Sequence, residues 1–395
     1  MQSMLSKNIV RVAAAGAGKT YTICREAEKE INQLSSDSKC NKRVLMVSYA
    51  TKAVDSIEEE LRKENCGVIP NGLDVQSWYS FIMNEMIKPY QTEIFGINEI
   101  KGFFFNQHAL NYNRYKIGNR NRYLTKDHDL KSEEAAELAM TLNAWSKGAV
   151  LRRLERIYGH IYIDEVQDMS GWDLNIIEAL MRTSIAITAV GDGKQAVFRT
   201  NYAQKNKGKG GANIWKFFLN LQRGGLANIQ RQNVSRRFNY EICNFANRVF
   251  PNENNITTCM DEITGHDGVF VIMQHDVQAY VNYFSPQVLR WNKKTNTDGF
   301  DSLNFGECKG QTFDRVLIYT NGPLEKFLFK NQPLKSPIKY YIAATRPKYS
   351  IAFVVKKMPE SVAYEKVRIP LSDTDIIGWH LLPDEKFDIR ESLDN

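Results

Sequence analysis

Apolar residues in this chain gather in short, nearly continuous runs separated by amphipathic stretches. Residues 9–15 (IVRVAAA), 43–49 (RVLMVSY), 160–163 (HIYI) and 184–190 (SIAITAV) read as strands. Helical spacing fits 20–33 and 53–64, and 75–86 begins strand-like and continues with a helical pattern. After Arg237 the alternation resumes, with a helix at 240–249, strands at 269–273 and 315–319, a helix at 338–345 and a strand at 351–355. Strands without polar alternation, each followed by a helix, are buried on both faces, so the pattern predicts an α/β chain with parallel sheets flanked by helices.

Residues 89–146 interrupt the first unit. They are rich in Asn, Tyr and Lys, then turn helical to 144 from Ser132, read as an N-cap before Glu133 and Glu134. The expected organisation is a first domain of residues 1–88 and 147–222, a small basic and aromatic insertion at 89–146, and a second domain at 223–395 that ends in a short acidic tail. No internal repeat stands out, and residues 205–211 (KNKGKGG) read as a mobile basic loop.

Composition narrows the class. With 395 residues, 43% hydrophobic and 25% charged, the chain is ordinary for a globular protein and excludes disorder and collagen-like repeats. No run of 18 apolar residues predicts a membrane span. The first 20 residues run into a glycine-rich loop instead of a leader cleavage site. The six cysteines form no CxxC pair, which favours reduced thiols and a cytoplasmic location. The net charge of +7 is unevenly spread: residues 193–240 hold ten Lys or Arg and no acid, and 101–126 hold six bases, no acid, and Phe103, Phe104, Phe105, Tyr112, Tyr115 and Tyr123. Residues 360–395 reverse the sign, with nine acids and four bases. Cations interleaved with rings suit single-stranded nucleic acid, where phosphates need charge and bases need faces to stack on.

The sharpest chemistry is at residues 13–20 (AAAGAGKT). Ala13, Ala14, Ala15, Gly16, Ala17 and Gly18 are small enough for backbone N–H groups to wrap a phosphate chain at a helix N-terminus. Lys19 is placed to reach the β- and γ-phosphates and Thr20 to ligate Mg²⁺, with Tyr21 the next residue beside the nucleotide. Downstream, an apolar strand delivers Asp164 and Glu165 in the sequence IYIDEVQD. Asp164 at the strand end suits Mg²⁺, and Glu165 suits the role of proton acceptor from the attacking water.

Asp164–Asp168 (DEVQD) resembles the DExQD box of the UvrD/Rep/PcrA-type superfamily 1 helicases, and further motifs follow in that family's order. Residues 47–54 (VSYATKAV) resemble motif Ia. Ser77-Trp78-Tyr79-Ser80-Phe81 is similar to the threonine/histidine motif, with Tyr79 in place of His. Residues 190–199 (VGDGKQAVFR) resemble VGDDDQSIYR. Arg237 ahead of ICNFAN matches the motif IV arginine, residues 309–314 (KGQTFD) resemble motif V, and residues 341–346 (YIAATR) resemble motif VI. The resemblance spans about residues 9–355. It implies two RecA-like domains, ATP and Mg²⁺ as cofactors, Gln195 as a γ-phosphate sensor, Arg237 and Arg346 as arginine fingers, and Gly310 near the nucleotide.

That resemblance implies an ATPase that moves on single-stranded DNA, or on duplex with a single-stranded tail, in the 3′ to 5′ direction. Arginines from the second domain would stabilise charge on the transferring phosphoryl group. Tyr49, Trp78 and Phe198 are expected as exposed base-stacking rings, and Arg199, Lys205, Lys207 and Lys209 as phosphate contacts. The chain also departs from the family. No upstream glutamine matches among the 12 residues before Ala13, Arg236 stands where an adenine-stacking tyrosine is usual, Thr312 replaces a glutamate, and about 57 residues between Asn247 and Phe305 leave no room for the large accessory insertion. A second reading is therefore a non-unwinding NTPase switch that regulates a partner nuclease, as small UvrD-like proteins do in anti-phage defence systems. A third is a nucleic-acid-binding protein with a degenerate ATPase core.

Overall fold

The computed structural model describes residues 6–36, 41–92, 100–105, 115–196, 205–251, 255–359, 363–372 and 374–382. The chain divides into two compact units, the first comprising Met1–Ala13 and Gly18–Gln232, the second Ala14–Ala17 and Asn233–Asn395.

In the first unit, strands β1 (Ile9–Ala13), β2 (Arg43–Ser48), β3 (Leu73–Ser77), β6 (Tyr158–Asp164), β7 (Ala186–Gly191) and β8 (Asn228–Gln232) form one sheet in the order β3-β2-β6-β7-β1-β8. The pair β4 (Phe103–Phe104) and β5 (Leu130–Lys131) stands apart. Every pairing in the six-stranded sheet is parallel, so all its strands end on one edge. Ser48 is in register with both Ser77 and Asp164, and Val12 with Gly191. Ligands of open parallel sheets bind at that carboxyl edge, because the loops that leave it lie over the helix N-termini.

Helices Lys19–Ser36, Thr51–Glu64 and Asp173–Met181 connect the strands. Val47, Ile161, Ile163 and Ile187 are fully buried, as continuous apolar strands between two helical layers require.

Three boundaries differ from the sequence reading. Residues 228–232 belong to the first sheet: β8 pairs with β1 from Ile9↔Asn228 to Ala13↔Gln232, so the first unit runs past residue 222. The insertion is not a separate body either, because Ile100, Tyr123, Leu130 and Ala135–Leu142 pack into the same core as Leu45, Val47 and Ile161. Ser132 does not cap a helix. It opens a 3-10 turn, Ser132–Glu134, ahead of helix Ala135–Trp145, and neither Lys131 nor Glu134 gives a side-chain cap.

The second unit carries a short pair, β9 (Val234–Ser235) and β10 (Thr257–Thr258), and a seven-stranded sheet. The sheet strands are β11 (Gly268–Met273), β12 (Gln287–Arg290), β13 (Leu303–Asn304), β14 (Phe313–Tyr319), β15 (Pro347–Val355), β16 (Tyr364–Ile369) and β17 (Ile376–Leu381), in the order β13-β12-β14-β15-β11-β17-β16. The β11–β15 and β14–β15 pairs are parallel, whereas β17 runs antiparallel to both β11 and β16. The acidic tail is thus partly structural: Tyr364, Ile369, Ile376 and Leu381 bury the ends of a hairpin whose polar residues face outward.

Among the described residues, five cysteines are free, no helix is long and apolar enough to cross a membrane, and no cluster of three or more His, Cys, Asp or Glu offers a metal site.

Candidate nucleotide site

The phosphate loop begins where β1 ends and passes directly into helix Lys19–Ser36. Gly16 and Gly18 both have φ +74°, the left-handed region that glycine enters without steric cost. The turn is closed by Ala17 N–H donating to Ala14 O at 3.2 Å, and the helix by Thr22 N–H donating to Gly18 O at 2.9 Å. Lys19 and Thr20 therefore occupy the first helical turn, whose N–H groups have no partner within the helix.

Asp164, the last residue of β6, is buried beneath them. Its Oδ2 accepts the Thr20 hydroxyl at 2.9 Å and its Oδ1 accepts the Glu165 backbone N–H at 2.9 Å. Burial, followed by the neighbouring Glu165 charge, pushes the Asp164 carboxyl above its ordinary range, while Lys19 and the two hydrogen bonds pull the other way. A buried carboxylate held in this balance gains from a nearby cation. A hydroxyl and a carboxylate oxygen side by side are a hard donor pair that fits Mg²⁺, an ion that takes one or two protein oxygens and fills its remaining positions with phosphate and water.

Glu165 has φ +54°, a left-handed backbone in a non-glycine residue, a conformation worth about 1–2 kcal/mol of strain. That turn lets the chain leave the sheet edge at once and enter the short helical turn Val166–Asp168. Gln167 fixes the side chain that results: its Nε2 donates to Glu165 Oε2, while its Oε1 accepts the Asp192 N–H at 3.0 Å. Asp192 then caps the turn Gly193–Gln195, accepting Lys194 N–H at 2.9 Å on Oδ1 and Gln195 Nε2 at 2.8 Å on Oδ2. The outcome is a hydrogen-bonded chain from Thr20 through Asp164, Glu165, Gln167 and Asp192 to Gln195. Gly191 makes room for it, since a Cβ there would overlap Gln167 Oε1. Gln167 and Asp192 both lie inside the quoted motifs, but their roles depend on a contact between two strand ends that spacing does not reveal.

In the second unit, Arg237 and Arg346 meet at Thr345. Arg237 Nη1 donates to Thr345 O at 3.0 Å, and Arg346 Nη2 donates to Thr345 Oγ1 at 3.0 Å. Arg346 is 1% exposed, and its Nε and Nη1 also donate to Ile342 O at 2.9 Å and Gln311 O at 3.2 Å. It therefore ties the loop after Gly310 to helix Ile338–Ala344. Gly310 has φ +84° and faces open space. Arg236 is exposed, and its N–H donates to Gly16 O at 2.9 Å within this unit.

The family model of an AAA domain (AAA_19) matches residues 1–201, a span that holds the phosphate loop, Asp164–Asp168 and Gln195. The chain belongs to this AAA-domain family. Among solved structures it is similar to arterivirus nonstructural protein 10 (helicase), at 12% identity and TM-score 0.45, covering 89% of this chain and 60% of that one. The complex of that protein with DNA gives 12% identity, TM-score 0.44, and 88% and 60% coverage. The chain thus spans about three-fifths of the length of those proteins, and likeness at this level carries no functional weight. No curated protein matches.

The residues expected to contact nucleic acid fall in different places. Trp78 is not an exposed ring. It is 0% exposed, with its Nε1 donating to Asp173 Oδ1 at 2.8 Å, because the chain turns inward immediately after β3 and carries the indole into the core. Tyr49 is half-buried beside Tyr79, with ring centroids 5.8 Å apart. Lys205, Lys207 and Lys209 are exposed, and the Lys205 ammonium lies 5.3 Å from the Trp172 ring centroid. Tyr21 is exposed under the Arg25 guanidinium. Phe198 and Arg199 lie outside the described residues.

Proposed function

We propose that this protein is a UvrD-like superfamily 1 ATPase that couples ATP hydrolysis to 3′ to 5′ movement along single-stranded DNA and opens tailed duplex. The observation that carries this reading is the hydrogen-bonded chain from Thr20 to Gln195, which joins the phosphate loop, the acidic pair and the sensor glutamine in one polar network.

In this reading the backbone N–H groups of the loop and the Lys19 ammonium hold the phosphates. Thr20 and Asp164 hold Mg²⁺, which supplies positive charge against the phosphate oxygens when bound. Glu165, oriented by Gln167, takes the proton of the attacking water, and Gln195 reports on the γ-phosphate to Asp192. The exposed lysines at 205, 207 and 209 contact the DNA backbone.

A second reading, an NTPase switch acting on a partner nuclease, draws on the short segment between Asn247 and Phe305 and on Thr312 in motif V. Steady-state phosphate release with and without single-stranded DNA separates the two, with Glu165→Gln as the blank. Stimulation by DNA that is lost in the variant supports the motor. Hydrolysis indifferent to DNA overturns it in favour of the switch.

A further inference from the structure

Four rings in the first unit form one continuous aromatic cluster. Tyr49 and Tyr79 are 5.8 Å apart, Tyr79 and Phe103 5.2 Å, Tyr79 and Phe105 5.4 Å, and Phe103 and Phe105 5.7 Å between centroids. Tyr49 follows β2 directly and Tyr79 follows β3 by two residues, so both rise from the sheet edge that carries Asp164.

The cluster is anchored at one end and open at the other. Burial pushes the Tyr79 phenol well above its ordinary range, and Phe103 is half-buried. Phe105 is 65% exposed and its neighbour Phe104 43%. Phe105 touches Tyr79 and Phe103 and leaves most of its surface in water.

The segment that carries Phe105 is basic, with six Lys or Arg and no acid over residues 101–126. Lys101, Lys116 and Lys126 are exposed on the insertion, and Lys52 is exposed in the first turn of the helix after Tyr49. The acids nearby are Asp173 and Glu133, whose charges both act on Tyr79, together with Asp129, which lies beside Gly102, and the exposed Asp127. Two partly exposed rings, each worth at most about 250 Å², fall short of the roughly 800 Å² per partner that a stable protein interface needs. One nucleobase needs only one ring face.

We propose that Phe105 is the outer ring of a base-stacking ledge for single-stranded nucleic acid, with Tyr79 and Phe103 as positioning residues behind it and Lys101 as a phosphate contact. The proposal rests on the nucleic-acid reading above and assigns a contact in the insertion, outside the family motifs. It would make Phe105 a binding residue on the same sheet edge as the nucleotide site.

The test is fluorescence anisotropy of labelled oligo(dT) and oligo(rU) with the full chain and two variants. Phe105→Leu keeps an apolar side chain and removes the π-face, whereas Phe105→Tyr keeps the ring. The expected result is binding weakened about 5- to 100-fold by Phe105→Leu, within about twofold of wild type for Phe105→Tyr, and unchanged binding of a fluorescent ATP analogue in both. The two oligomers show whether the ledge takes DNA, RNA or both. Wild-type affinity retained in Phe105→Leu overturns the ledge alone and leaves protein docking as the role for the rings. A wild-type chain that binds neither oligomer overturns the nucleic-acid reading itself.

Discussion

Thr20 and Asp164, 144 residues apart in the chain, are joined by a 2.9 Å hydrogen bond from the Thr20 hydroxyl to the Asp164 carboxylate. The bond exists because the first turn of helix Lys19–Ser36 and the end of β6 open on the same edge of a parallel sheet. It sets two hard oxygens side by side, a hydroxyl and a carboxylate, which is an arrangement that suits a phosphate-bound Mg²⁺. Thr20→Ser should therefore keep phosphate release within a few-fold of wild type. Thr20→Val, which preserves shape and removes the oxygen, should reduce it by roughly 100-fold. A Thr20→Val protein that hydrolyses ATP at the wild-type rate under saturating Mg²⁺ would refute the assignment.

Gln167 has a double duty that a carboxylate cannot perform. Its amide N–H₂ donates to Glu165, and its carbonyl accepts from Asp192 N–H. Gln167→Glu replaces the donor with a second negative charge in a fully buried position. Hydrolysis should fall at least about tenfold and stability by about 1–3 kcal/mol, the usual cost of breaking a buried hydrogen bond. Gly191→Ala attacks the same contact by overlap with Gln167 Oε1, and a similar loss is expected from overpacking, about 1–3 kcal/mol. Urea unfolding and phosphate release on both variants decide it: unaltered midpoints with unaltered turnover would show that the network is dispensable.

Trp78 behaves as a core residue. Trp78→Phe removes the Nε1–H donated to Asp173 while keeping most of the apolar volume, so the expected loss is about 1.5–3 kcal/mol, the range for a hydrogen bond to a charged group. Affinity for single-stranded DNA should not change. A variant with native stability and weakened DNA binding would restore the base-stacking role expected from the sequence.

What was legible in the sequence was chemistry carried by neighbours in the chain. The phosphate loop, the strand that ends in Asp164 and the apolar runs of both sheets each announce themselves within a few residues, and the helix at Tyr240–Val249 lies where its spacing puts it. Features fixed by tertiary contact were not legible. Strand β8 reads NIQRQ, a half-exposed edge with no apolar run, and only its pairing with β1 makes it part of the first sheet. The hairpin of β16 and β17 lies in a stretch dominated by acids, where four end residues carry the burial. Trp78 sits next to a strand end in sequence, and nothing local distinguishes a ring that points outward from one that turns into the core. Gln167 and Asp192 are 25 residues apart, so their bond is a property of the sheet edge and not of either motif.

Stability should fall as pH rises from about 4.5 to 7, because of Glu134. This side chain is buried at the start of helix Ala135–Trp145, where Arg122 gives its two short bonds to Glu137, at 2.6 and 2.7 Å, and stays 3.9 Å from Glu134. Burial first, and then the Glu137 charge, push the Glu134 carboxyl up to about 7, with Arg122 opposing. The unfolded chain releases this proton near 4.5. Between those two values the folded state holds a proton that the unfolded state has lost, so the stabilisation present below about pH 4.5 diminishes until the folded carboxyl ionises near 7, and the profile is flat beyond. At about 1.4 kcal/mol per unit, the full effect is on the order of 3–4 kcal/mol. Glu134→Gln supplies a permanently neutral side chain of the same shape. Urea midpoints of the two proteins should converge near pH 4, and the variant should be the more stable at pH 8. A wild-type protein that keeps the variant's stability at pH 8 would mean that Glu134 ionises in the fold without penalty, with Arg122 outweighing its burial.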